Sequence, residues 1–166
     1  MRVAGRFEEA ERDLREAFVL CRDLKERALV TWTASELART LTMVGDTAAA
    51  RSTLDDPLSR LAEGEPGSST SLLLAESVLA FVGGDREAAL ASSKAAIQAE
   101  AGPPLLANPH AAAVWWTGTL FGPDEAAGRD ELNRARDILQ RNGWRQALAE
   151  PDLVLQAERA GADIEA

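Results

Sequence analysis

The chain has 166 residues, a formal net charge of −9, and a single cysteine and a single histidine. Hydrophobic residues make up 46% and charged residues 27%, which excludes a disordered chain and suits one unit or one array with a continuous core. The acidic balance excludes a phosphate-binding surface, which needs clustered Lys and Arg, so no direct nucleic-acid contact is expected.

With Cys21 alone no internal disulfide can form, which suits a reducing compartment. No apolar run reaches the roughly 18 residues of a membrane span, and the opening Met1-Arg2-Val3-Ala4 has no signal-peptide pattern. A cytoplasmic chain without membrane contact is expected. There is no Tyr, while Ala, Leu, Glu and Arg dominate, so intrinsic preference points to helix throughout. Cations other than Lys25 and Lys94 are Arg, a bias that, with the abundant Ala, suggests a GC-rich bacterial source.

Phe7, Ala10, Leu14, Ala17, Phe18, Cys21 and Leu24 fall at gaps of three and four, one stripe of a first helix over about 7–24. Cys21 sits on that stripe and reads as a small core hydrophobe rather than a reactive thiol. After a turn near Lys25-Glu26, a second helix carries Leu29, Val30, Ala34, Leu37, Ala38, Leu41 and Val44 and stops at Gly45. A third opens at Thr47 and breaks at Asp55-Asp56-Pro57, where an aspartate cap and a first-turn proline start a short helix over 58–63. Gly64-Glu65-Pro66-Gly67-Ser68-Ser69-Thr70 is the clearest loop. Ser71–Val82 is apolar on nearly all sides, which places it mid-array, and Gly83-Gly84 ends it. Arg86–Glu100 is its partner, with Ala88, Ala89, Ala95, Ala96 and Ile97 inward. Gly102-Pro103-Pro104 breaks the chain before a helix over His110–Phe121. The partner of that helix spans 124–141, using Leu132, Ala135, Ile138 and Leu139. Asn142-Gly143 stops it, and short helices over 144–149 and 152–160 close the chain.

Gly5, Gly45, Gly84 and Gly122 each precede a turn-forming or acidic residue and then alanines, at intervals of 40, 39 and 38. A recurrence of this length predicts a helical solenoid, in which one helix pair cannot bury its apolar face until a neighbour stacks on it. One array over 1–166 is expected: a half repeat to about 26, repeats over 27–63, 70–101 and 108–142, and capping helices over 144–160. The first helix lacks a preceding partner, so the chain is expected either to be a piece of a longer solenoid or to pair with a second copy there.

Gly5, Phe7, Ala10, Leu14 and Ala17 fit the spacing Gly-x-aromatic-x-x-Ala-x-x-x-large-x-x-Ala, which resembles the second half of a tetratricopeptide repeat. Gly45, Ala50 and Leu54 keep part of it, as do Gly84, Ala89 and Ala96. Thr47 and Arg86 replace the aromatic, Ser93 the large residue, and Pro57 falls at the closing alanine. The longer period is similar to that of the sensor regions of large bacterial LuxR-type and maltose-regulator-type transcriptional activators. The resemblance implies an all-α fold, a right-handed α-solenoid of helix-turn-helix repeats, that senses a ligand or protein while DNA binding lies elsewhere.

No dinucleotide fingerprint, phosphate loop, nucleophile elbow or zinc-protease motif is present. His110 and Cys21 sit on different helices, and one histidine with scattered carboxylates is poor material for a metal, so no catalytic residues, metal or cofactor are expected. The resemblance implies that the first helix of each pair lines a concave surface. That turns Trp32, Ser35, Arg39 and Thr42 towards a groove, where Arg39 would hold an acidic peptide end or a carboxylated small molecule. Glu76 and Trp116 join this set. The plainer alternatives are that Trp32 packs between repeats, that Arg39 is solvated, and that Glu76 pairs with Arg39. On the groove reading Arg39→Ala leaves the melting temperature nearly unchanged. The expected role is a non-enzymatic protein-interaction or scaffold module docking a peptide, a partner helix or a second copy through the N-terminal helix. The alternative is a small-molecule effector receptor with a closed pocket between the Trp32 and Trp116 helices.

Overall fold

The computed structural model describes residues 2–65, 67–99 and 107–165. Among these the chain is entirely helical, without a strand. The helices are α1 (Arg2–Asp23), α2 (Arg27–Met43), α3 (Thr47–Asp55), α4 (Ser68–Val82), α5 (Arg86–Gln98), α6 (Ala107–Phe121), α7 (Arg129–Arg141) and α8 (Arg145–Glu165). One-turn helices cover Pro57–Arg60 and Pro123–Ala126. No helix among the described residues is long and apolar enough to cross a membrane.

Helices α2, α4 and α6 lie side by side, each packed against the helix that follows it. Helix α1 packs on α2, and α8 on α6 and α7. One core joins α2, α3 and α4 through Leu37, Leu41, Leu54, Leu72 and Leu79. A larger one joins α4 to α8 through Val78, Phe81, Trp116, Leu139 and Val154. Helix α4 feeds both, which is why its sequence is apolar on nearly every side. Each such side chain contributes about 1.5–3 kcal/mol on burial. Helix α1 has no fully buried side chain among those described; Phe7, Ala10, Leu14, Ala17 and Cys21 are half-buried along the predicted stripe.

Gly45 and Gly84 take the same turn. Both have left-handed backbones, with φ of 90° and 85°. The next amide donates back across the helix end, Asp46 to the Leu41 carbonyl and Asp85 to that of Ala80, both at 2.9 Å. This closure satisfies carbonyls that the last helical turn leaves free. Each aspartate then caps the following helix, accepting from the Ala49 amide at 3.0 Å or the Ala88 amide at 2.9 Å. The other two glycines of the recurrence differ: Gly5 lies inside α1, and Gly122 leads into a one-turn helix. Gly143, and Lys25 without glycine's freedom (φ 61°), make the equivalent turn instead.

Three further expectations are corrected. The helix predicted over 124–141 is broken at Ala127-Gly128, both at positive φ, so α7 starts only at Arg129. The two closing helices are one, α8, with Pro151 inside it. A proline there costs about 3 kcal/mol. Here Ala147, Glu150, Pro151 and Val154 are buried together, and that packing holds the helix continuous. Helix α4 begins at Ser68, within the predicted loop. The predicted break at Asp55-Asp56-Pro57 is present: the Asp56 carboxylate accepts from the Leu58 amide at 2.9 Å. The predicted break at Gly102-Pro103-Pro104 lies outside the described residues.

Ser77 ties three helices together. Its hydroxyl donates to the Ala89 carbonyl at 2.7 Å and accepts from the Trp116 indole Nε1 at 2.9 Å, with both side chains buried. Ser77→Ala leaves the buried Trp116 indole N–H without an acceptor, while the Ala89 carbonyl keeps its helical bond, and should cost about 1–3 kcal/mol in urea unfolding at unchanged slope. A Trp116→Phe change added to it should cost less than the two single changes summed.

Candidate functional site

Along α2, Trp32, Glu36, Arg39 and Met43 recur at gaps of four, three and four, a face different from the one that Leu37, Ala38 and Leu41 bury against α4. This second face is the floor of an open trough between α1 and α8. One part of the trough, about 570 Å³, is bounded by Ala10, Leu14 and Ala17 of α1, by Trp32, Glu36 and Arg39, and by Trp144 and Ala147. The other, about 830 Å³, lies between Phe7, Glu8 and Glu11 of α1, Thr42 and Met43 of α2, and Leu153, Val154 and Ala157 of α8. The alanines of α1 keep the walls apart. Neither hollow is lined by α6.

Beneath the trough Arg39 is held by two carboxylates. Its Nη1 donates to Glu36 Oε1 at 2.8 Å, one turn back on the same helix. Its Nε donates to Glu150 Oε1 at 3.2 Å and its Nη2 to Glu150 Oε2, a two-pronged contact with α8. Arg39 and Glu150 are each 2% exposed, and Glu36 17%. Burial raises the Glu36 pKa, Arg39 opposes that rise, and the Glu150 charge adds to it. Burial also acts to lower the Arg39 pKa, but Glu150 and Glu36 outweigh it and hold the guanidinium above its ordinary value.

Of the six residues expected in a groove, Trp32, Arg39 and Thr42 line the trough. Ser35 does not: it is fully buried and donates to the Thr31 carbonyl at 2.8 Å. Glu76 is held away from Arg39 by Arg60, whose Nη2 donates to it at 2.5 Å while its Nε donates to the Leu54 carbonyl at 3.0 Å. Trp116 is core, edge-on to Phe81 at 5.6 Å between ring centres. Trp115 is the more exposed of the pair, yet its Nε1 donates to the Leu148 carbonyl at 3.1 Å. Neither of these two hollows lies between the Trp32 and Trp116 helices. Arg39 is neither solvated nor free for an incoming carboxylate, since Glu150 already occupies that position. Glu36 was findable from its spacing to Arg39. Glu150, 111 residues away, was not.

Among the described residues no group of three or more His, Cys, Asp or Glu side chains could hold a metal ion. No protein-family model, curated protein or solved structure matches the chain.

Removing Arg39 leaves two buried carboxylates without a cation. Arg39→Ala, expected from the sequence to be nearly neutral, should instead cost about 3–5 kcal/mol in urea unfolding. Glu36→Gln leaves one cation to one carboxylate and should be tolerated. Its pH dependence has a definite sign. The folded state binds the Glu36 proton more tightly than the unfolded chain, so this group favours folding on the acid side of its raised pKa. That contribution is lost as pH rises from about 4.5 through the raised value. The glutamine variant should therefore gain stability relative to the parent with rising pH in a urea series.

Proposed function

We propose that the chain is a non-enzymatic interaction module, a short tetratricopeptide-like solenoid that docks a helical segment of a protein partner in the trough over α2. The observation that carries this reading is an open trough bounded by α1 and α8, whose floor and walls carry the apolar side chains of Phe7, Leu14, Trp32, Met43, Trp144 and Leu153. Helix-in-groove recognition needs such a floor and side-chain pockets along it. The side-by-side placing of α2, α4 and α6, each hairpinned to its successor, supports a solenoid. A role as the cytoplasmic sensing segment of a bacterial transcriptional regulator follows from the resemblance alone. Pairing with a second copy through α1 has its own support: Val19, Leu20, Leu24 and Leu29 at the α1–α2 hairpin are each more than two-fifths exposed.

A second reading, a small-molecule effector receptor, is favoured by the size of the hollows, which falls in the range of about 300–1,000 Å³ usual for ligand sites. Native mass spectrometry of the heterologously produced chain separates the readings. The interaction module should emerge free of small molecules, as monomer or dimer; a stoichiometric co-purified compound would favour the receptor. Helical peptides selected against the chain should perturb Trp32 and Trp144 fluorescence. Ala17→Trp, which fills the trough from α1, should abolish that binding with melting temperature unchanged.

A further inference from the structure

The polarity of the trough identifies the class of helix that fits it. Resting on the docking role proposed above, we infer that the occupant is a basic amphipathic helix with large apolar side chains two turns apart. Five carboxylates line the trough, those of Glu8, Glu11, Asp13, Glu36 and Glu158, against two arginines. Arg39 is not available to an anion, because both faces of its guanidinium fork are taken by Glu36 and Glu150 and it is 2% exposed. Arg145 remains, at one end only.

The other charges are exchangeable. Glu11 pairs with Arg15 at 2.9 Å and Glu158 with Arg86 at 3.0 Å, but those arginines are 52% and 54% exposed. Exposed pairs of this kind hold one another weakly, and an incoming Lys or Arg replaces them at little cost. Asp13 likewise pairs with Arg12 at 3.1 Å, an arginine 66% exposed, so the α1 wall presents Glu8, Glu11 and Asp13 as a negative edge above a floor to which Trp32 and Met43 bring apolar surface.

Spacing follows from α2. Glu36 lines the smaller hollow and Met43 the larger, seven residues apart on α2 or about 10 Å at the helical rise. A helix lying along the trough meets them with side chains at i and i+7, the same two-turn interval. Lys or Arg flanking these anchors on the α1 side would face Glu8 and Glu11. A second copy of the chain, which carries a net charge of −9, is a poor occupant by the same criterion.

The test uses the whole chain and blocked synthetic helices with leucines two turns apart, in three forms: Lys-flanked, Glu-flanked, and Lys-rich with the leucines scrambled. Binding is read by calorimetry and by fluorescence of Trp32 and Trp144. The Lys-flanked helix should bind, and Glu8→Gln with Glu11→Gln should weaken it about ten-fold. Equal binding of the Glu-flanked helix overturns the basic class while leaving helix docking intact. Equal binding of the scrambled helix overturns the two-turn register and shows diffuse attraction. Failure of all three to bind overturns the docking role itself.

Discussion

One buried guanidinium joining two carboxylates from distant parts of the chain is the constraint on which the candidate site depends. Arg39 and Glu150 are 111 residues apart, and their contact fixes α8 against α2. Burial of two charges is costly unless each finds its partner in good geometry. Here the fork of Arg39 meets both oxygens of Glu150 and still reaches Glu36. Apolar side chains of similar volume can fill such a space as stably, without the directional contact that the pair makes. A two-pronged pair is geometrically demanding, so it adds to the core contacts of α8 with α6 and α7 in placing that helix along the trough.

The same contact explains the proline. Pro151 follows Glu150 directly, so the turn that loses a backbone hydrogen bond is the turn anchored by the ion pair and by Ala147 and Val154. Read locally, the proline divides the segment into two helices. Tertiary packing overrides that local preference, as it often does when one short stretch concentrates several buried side chains.

Much of the fold was legible because the relevant signals are local. The periodicity of α1 and α2, the all-round apolar run of α4, the glycine stops before Asp46 and Asp85, and the break before Pro57 are each determined within one or two turns of chain. Gly5 shows the limit: its spacing matches the other glycines, yet it lies inside a helix, because nothing at that point demands a left-handed residue. Lys25 makes the converse point, a turn of the same geometry without the glycine. The site was only half legible. Trp32, Arg39 and Thr42 line the trough as the repeat resemblance implied, whereas the burial of Ser35 and Trp116 depends on neighbours from other helices.

Arg39 also shows why a residue type alone does not define what a groove accepts. An arginine on a candidate face suggests an anionic ligand, but the folded chain supplies that anion from α8, and the remaining carboxylates reverse the sign of the surface. Because α8 forms one wall, the seating of Glu150 on Arg39 joins the core contacts of α8 with α6 and α7 in holding that wall in place. Any occupant touching both walls therefore stabilises the α8 contact by binding the seated state and not the unseated one. Docking and the seating of α8 are then linked, and what tightens one tightens the other.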